Sequence, residues 1–384
     1  MTTAAAYTPG FSYTHEMVGH LMQIEGACRL VDVLVLPPDA AFLLKYDAQH
    51  RSTRYSTAIE GNTLPPEEIR QGIALANRTG SQQQQEVRNY WMALEWLERQ
   101  VEDNARFSEE FIRRLHRIII VRGRGRRGEK SDYRTEECPV VDAATGQVDY
   151  GPPRPEDVPS LMESLVAWRN SAQARAFPGP VRAGILAYQF VTIHPFPDGN
   201  GRTARALATA ELWFSGYRMR GFLSMEEEYF GGLQRYYESL QMGLPMSYYE
   251  GRNNPDLTPW LAYFLETMSA AASRVRDRAL SLHEVMPQPR APWEDLNRRQ
   301  QQLLSRLVLV EADEEGVPSF TPGDIADWFT VSAQTARTWL QEWHKAGFIE
   351  PASGELRIRA WALNETFSDL VKQVRSTTRS GQIT

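Results

Sequence analysis

The strongest constraint on this chain is the stretch HPFPDGNGRTAR at residues 194–205. Two prolines and two glycines within eight positions rule out regular structure from His194 to Gly201, so this segment is a loop. From Arg202 onward the run RTARALATAEL reads as a helix. A glycine-bearing loop that opens into a helix turns free backbone N–H groups and the positive end of the helix dipole toward one point, which suits phosphate. Arg202 and Arg205 share the first turn and add charge-assisted donors. Asp198 is a hard oxygen ligand of the kind Mg²⁺ takes beside phosphate oxygens. His194 is the candidate base at the mouth. A plain turn with solvated arginines is the alternative. Six positions of suitable type within twelve residues weigh against it.

The rest of the chain is expected to be mainly helical. Apolar residues recur at helical spacing in HEMVGHLMQIEGACRLVDVLVL, EVRNYWMALEWLERQVED, SEEFIRRLHRIIIVRG, PEDVPSLMESLVAWRNSA, PVRAGILAYQFVTIH and the long run from Thr258 to Met286. One stretch breaks the pattern. In YRTEECPVVDAATGQVDYGPPRP, β-formers flank Ala143–Gly146, which predicts a short β-hairpin. The proline-rich 286–294 is the best linker candidate. Beyond it, TPGDIADWF predicts a short helix with Thr321 as cap and Pro322 in the first turn. A turn, a second helix and the strand-forming PASGELRIRAWAL follow, the layout of a winged helix-turn-helix.

Composition narrows the class. A net charge of −6 argues against a protein that coats nucleic acid, though not against one small DNA-reading domain. The two cysteines, Cys28 and Cys138, lack metal-ligand spacing and read as reduced structural thiols. The first twenty residues have neither the basic region nor the apolar core of a signal peptide, and no apolar run is long enough for a membrane span. The expectation is a cytoplasmic protein with no membrane partner.

The motif HPFPDGNGRTAR resembles the Fic family signature His-Pro-Phe-x-Asp-Gly-Asn-Gly-Arg-x-x-Arg at every fixed position. The hairpin segment resembles that family's flap, and YYESL at 236–240 its paired tyrosines. The resemblance covers roughly residues 50 to 270. It implies a helical bundle with a hairpin flap, divided as follows: an N-terminal helical region 1–105, a Fic core 106–285, the linker 286–294 and a winged-helix module 295–384. It implies a protein adenylyltransferase that moves AMP from ATP to a Tyr, Thr or Ser hydroxyl of a target protein, itself included. On that resemblance His194 takes the hydroxyl proton and Asp198 holds Mg²⁺. Gly199, Asn200 and Gly201 cradle the α- and β-phosphates, and Arg202 and Arg205 hold the outer phosphates. Val140, Val141, Asp142 and Ala143 of the flap lay a target segment beside the site by strand addition. Tyr236 and Tyr237 line the adenine side, with core packing as their alternative. Gly201 favours AMP transfer, because relatives that transfer the γ-phosphate carry lysine there. The family's asparagine just past the paired tyrosines has no counterpart in QMGLPM.

STAIEGN at 56–62 resembles the family's inhibitory pattern Ser/Thr-x-x-x-Glu-Gly/Asn. Spacing puts Ser56 and Glu60 on one helical face, with Gly61 and Asn62 ending the helix. The resemblance implies that Glu60 enters the site and pairs with Arg205, which makes Arg205 unavailable to the γ-phosphate. Other readings on the same scaffold are removal of AMP or transfer of another nucleotide or phospho group. A different class is a DNA-binding regulator with a nucleotide-sensing core, its DNA contacts falling within 320–350. A homodimer is a further expectation from the family.

Overall fold

Residues 7–74, 80–120, 131–141, 146–285, 296–309, 319–352 and 360–379 are described by this computed structural model. The elements run α1 His15–Val33, α2 Pro38–Ile59, α3 Pro66–Ala74, α4 Gln82–Glu102 and α5 Glu109–Ile120. The hairpin β1 Val140–Val141 and β2 Val148–Tyr150 follows, then α6 Val158–Asn170, α7 Ala172–Arg175, α8 Gly179–Ile193 and α9 Asn200–Phe214. Next come α10 Glu226–Gly231, α11 Leu233–Gln241, α12 Thr258–Val285 and α13 Arg298–Leu309. The chain ends with α14 Pro322–Trp328, α15 Ala333–Lys345, β3 Ile349–Pro351, β4 Trp361–Leu363 and α16 Glu365–Arg379. The fold is mainly α, as the apolar spacing predicts, and the two small sheets among the described residues are both antiparallel hairpins.

Two compact units divide the chain. One comprises Met1–Leu34, Asp47–Thr63 and Asn89–Ser281. It is organised around α8, which is apolar on all sides and buried along nearly its whole length, as a helix at the centre of a bundle must be. α9 and α6 pack on α8, and α5 on α9. Gly184 permits the approach of α12. A Cβ there would stand 2.8 Å from Leu261 Cδ2, and the Gly184 carbonyl instead accepts 2.8 Å from Trp260 Nε1. Helix starts follow their caps: Thr14 Oγ1 accepts from Met17 N at 3.2 Å, and Ser108 Oγ from Phe111 N at 3.2 Å.

The hairpin pairs Val140 with Tyr150 and Val141 with Val148, with an irregularity between the two pairs. Of the four flap positions, Val140 and Val141 form β1, while Asp142 and Ala143 lie outside the described residues. Past β2, Gly151 N donates to Met246 O at 3.0 Å and Tyr248 N to Gly151 O at 2.9 Å, so segment 246–248 extends the hairpin by one more strand-like piece.

The second unit comprises Val35–Tyr46, Leu64–Arg88 and Leu282–Thr384. Within it α13 packs on α3 and α16, and α14 on α15. Thr321 caps α14 through a reciprocal bond with Asp324, with Pro322 at the first position. β3 and β4 pair Ile349 with Leu363 through to Pro351 with Trp361, and the segment 353–359 between them lies outside the described residues. Trp343 is buried, and Trp339 packs edge-on against Phe329, so both tryptophans serve the core. The candidate linker 286–294 also lies outside the described residues. Among the described residues no helix is long and apolar enough to cross a membrane.

Candidate active site

α8 and α9 are joined by the loop 194–199, and two left-handed residues make its corners. His194 (φ 51°) ends α8, and Gly199 (φ 77°) starts α9. At Gly199 the backbone angle favours glycine, and a Cβ would stand 2.5 Å from Ile120 Cγ2. Asn200 fastens the loop from inside: its Oδ1 accepts from Phe196 N at 3.0 Å and its Nδ2 donates to Phe196 O at 2.7 Å. Its side chain is therefore spent on the loop, and only its backbone N–H is left for an anion. Phe196 is fully buried and stacks on His116 at 3.6 Å.

His194 Nδ1 lies 3.2 Å from Val191 O. A carbonyl only accepts, so Nδ1 carries the proton and Nε2 keeps its lone pair. Burial is the main reason the imidazole is pushed down to about 4; Arg134 adds to this, while Glu60 and Asp198 oppose it. At neutral pH His194 is thus an uncharged base.

Two residues hold the loop without appearing in its motif. His116 of α5 bridges Ser131 Oγ and Asp198 O, both at 2.7 Å, and burial holds it too at about 4. The buried Arg134 donates Nε to His194 O at 2.8 Å and its backbone N to Pro195 O at 2.9 Å, and it also bonds Glu136 O and Pro153 O. Neither was visible from spacing, because each acts on backbone carbonyls far away in sequence. Tyr150 Oη donates to Thr192 O at 2.5 Å, which ties the hairpin stem to the end of α8.

The segment at 56–61 reaches the same place. The last turn of α2 tightens: Glu60 N bonds Thr57 O at 3.1 Å, Gly61 N bonds Ala58 O at 2.9 Å and Asn62 N bonds Thr57 O at 3.1 Å. Gly61 sits at φ 88°, the left-handed position that closes such a helix end. The Ser56 carbonyl is left for Arg205, whose Nη2 donates to it at 2.8 Å while Nε donates to Ser56 Oγ at 3.0 Å. Arg205 Nη2 also meets Glu60 Oε1 at 2.8 Å. A carboxylate is unfavourable at a helix C-terminus, and the guanidinium offsets that cost. Arg205 is 4% exposed and Glu60 31%. Burial lowers the Arg205 pKa, but Glu60 and the neighbouring tyrosines more than restore it, so the net direction is upward. A Cβ at Gly201 would collide with Glu60 Oε1 and stand 3.3 Å from Arg205 Nη1.

Tyr236 and Tyr237 part company. Tyr236 is buried, stacked on Tyr229 at 4.6 Å beside Arg205, around a cavity of only about 10 Å³. Tyr237 is exposed, and its Oη donates to Ile59 O at 3.2 Å, next to Glu60. Asp198 stands at the mouth with about half of its side chain exposed; its Oδ1 accepts from Gly199 N at 2.7 Å and from Arg202 Nη2 at 3.3 Å. Among the described residues no three His, Cys, Asp or Glu side chains form a metal cluster. One exposed carboxylate fits a hard cation that takes most of its ligands from phosphate and water.

Residues 106–212 match the family model described as Fic/DOC family. The chain is similar to a protein adenylyltransferase Fic of Drosophila grimshawi, 28% identical over 176 residues, 45% of this chain and 35% of that protein. It is similar also to protein adenylyltransferase fic-1 of Caenorhabditis briggsae, 28% identical over 226 residues, 57% of this chain and 40% of that protein. The chain thus spans well under half the length of these relatives. Among solved structures, a Fic family protein from Desulfovibrio desulfuricans superposes over 94% of this chain and 99% of its own (TM-score 0.56, 23% identity). A Fic domain containing signaling protein from Bacteroides thetaiotaomicron superposes over 68% and 97% (TM-score 0.57, 24% identity). These two likenesses show the fold.

Proposed function

The chain carries a Fic domain, and from that premise we propose that it is a protein adenylyltransferase held in check by its own Glu60. The carrying observation is the junction of α8 and α9. A neutral histidine with a free Nε2 ends α8 at the loop that opens into a helix N-terminus bearing two buried arginines.

On this reading the phosphates of ATP rest against Gly199 and on the N–H groups of Asn200 and Gly201, and Arg202 and Arg205 hold the outer ones. A Tyr, Thr or Ser hydroxyl of the target attacks the α-phosphorus and gives its proton to His194 Nε2. The bond to the bridging oxygen breaks and pyrophosphate leaves. Positioning and charge stabilisation supply most of the rate. Asp198 would hold Mg²⁺, which neutralises phosphate charge when bound. His116 and Arg134 keep the loop in register from behind. The exposed Val141 and Val148 of the hairpin offer a strand edge to the target, and Tyr237 flanks the nucleotide while Tyr236 backs Arg205.

Glu60 acts by occupation and by charge. Its carboxylate stands at Gly201, where a phosphate would sit, and it engages Arg205. Self-modification, a homodimer and a cytoplasmic setting belong to the same proposal. So does the division into 1–105, 106–285, 286–294 and a winged-helix module at 295–384. That module is better suited to docking than to reading DNA, since α15 exposes Arg337 and Lys345 beside Glu342 and buries Trp343.

The test is label transfer to protein from α-labelled and from γ-labelled ATP with Mg²⁺, using Glu60→Gly and Glu60→Gly/His194→Ala chains. Incorporation from the α-position alone, lost with His194→Ala, is expected. Incorporation from the γ-position alone would make the chain a phosphotransferase, and none from either would leave adenylylation unsupported.

A further inference from the structure

The C-terminal end of α9 carries a second cluster of arginines that the transfer reading does not use. Glu211, one residue short of three turns beyond Gly201 on the same helix, is fully buried and lies about 15 Å from the phosphate-binding end by helical rise. Arg169 Nε and Arg182 Nε each bond one oxygen of Glu211 at 2.7 Å. Beside them is a surface cavity of about 310 Å³ whose lining includes Arg106, Arg169, Arg175, Arg182, Asn170 and Glu211. Four guanidiniums therefore face a single carboxylate, in a chain whose net charge is −6.

Three of these arginines, Arg169, Arg175 and Arg182, are arranged before any ligand arrives. The Arg169 guanidinium lies over Phe107 at 4.5 Å and Phe214 at 5.3 Å, and its Nη1 donates to Asn170 Oδ1 at 3.2 Å. Arg182 Nη1 donates to Phe177 O at 2.9 Å, and Arg175 Nη1 to Asn170 O at 2.7 Å. Glu211 and these bonds fix the forks at little further entropic cost on binding. The Nη2 of Arg169 and of Arg182 has no hydrogen-bond partner among the described residues. Neither Arg106 nor Arg175 forms an ion pair with a carboxylate among the described residues. Both are exposed at the cavity. One carboxylate cannot neutralise four guanidiniums, so the cavity holds a concentrated positive field.

We infer that this cavity is a second anion site, which takes a small ligand carrying several negative charges on phosphate groups. The Nη2 groups of Arg169 and Arg182, with the exposed Arg106 and Arg175, offer several convergent donors to phosphate oxygens. The size suits a diphosphate-bearing small molecule. A monovalent anion would leave most of the surplus charge unanswered. The site is separate from the catalytic loop, at the other end of α9.

The test is isothermal titration calorimetry of the full chain with inorganic pyrophosphate at low salt, with inorganic phosphate and sulfate run alongside. Arg106→Ser/Arg175→Ser alters two exposed side chains and is checked by circular dichroism. Arg202→Ala controls for binding at the catalytic loop. Saturable pyrophosphate binding is expected, at least about tenfold tighter than phosphate or sulfate. The double variant should weaken it about tenfold or more, with Arg202→Ala changing it less than twofold. Absence of saturable binding overturns the site. So does binding that Arg202→Ala removes and the double variant keeps. Equal affinity for all three anions would mean a diffuse surface field and would overturn it as well.

Discussion

The two ends of α9 handle the same chemistry differently. At its start, Arg205 meets Glu60, a carboxylate brought in on the cap of α2 from 145 residues away and 31% exposed. At its end, Glu211 is fully buried and shared between Arg169 and Arg182. Withdrawing Glu60 leaves Arg205 still bonded to Ser56 Oγ and Ser56 O. Withdrawing Glu211 leaves Arg169 with a single hydrogen bond, to Asn170 Oδ1, and Arg182 with one, to Phe177 O. The first pair can open without collapse, as a regulatory contact must. The second ties α6 and α8 to α9. What separates them is how many other bonds each arginine keeps, along with the burial of the carboxylate.

The comparison can be broken at several points, the largest effect first. In the Glu60→Gly background, His194→Ala should lower label transfer by about 10²–10⁴-fold, the usual worth of a positioned base, with unchanged circular dichroism. A loss below tenfold would remove His194 from the chemistry. Glu211→Ala should destabilise the chain by about 3–5 kcal/mol in urea unfolding, because it removes a fully buried carboxylate shared by two part-buried guanidiniums. Glu60→Ala should cost less, about 1–2 kcal/mol, since the buried Arg205 keeps its two bonds to Ser56. Equal costs would erase the distinction between the two ends.

Gly199→Ala should cost about 1–3 kcal/mol, through the left-handed backbone and the approach of Ile120, and should slow transfer as the loop shifts. Unfolding and rate measured on one preparation would show both. The smallest effect is a matter of pH. Burial holds His194 at about 4, so its neutral, proton-accepting form persists as pH falls and is lost only near that value. At saturating ATP and Mg²⁺, the Glu60→Gly rate should change less than about twofold between pH 7 and pH 5.5. A histidine near its ordinary value would lose about tenfold over that span.

How much of this could be read from sequence depended on how local each contact is. The loop was legible because His194, Asp198, Gly199 and the arginines are neighbours on one turn and one helix start. The hairpin was legible too, from β-formers on either side of a glycine turn. The cap of α14 was visible in Thr321-Pro322. The end of α2 was readable at Ser56, Glu60 and Gly61, but not the rest of the helix. α2 buries Ser52, Thr53, Ser56 and Thr57, a polar inward face that apolar spacing does not register. α16 was readable in principle, since Phe367, Leu370, Val371 and Val374 recur at helical spacing, but the expectation stopped at the strand-forming run before it. His116 and Arg134 were invisible because they bond carbonyls of Asp198 and His194, 82 and 60 residues away. Tyr236 and Tyr237 read as a pair, yet one faces the core and the other solvent, which adjacency on a helix makes natural.

The central claim is that Glu60 restrains a competent transfer site. The most direct measurement compares initial rates of AMP incorporation from α-labelled ATP, with Mg²⁺, in the unaltered chain and in Glu60→Gly. The account predicts at least about a tenfold rise on freeing Arg205, the equivalent of about 1.4 kcal/mol. Equal rates in the two chains would contradict it, and Arg205–Glu60 would then be a structural ion pair like the one at the other end of the helix.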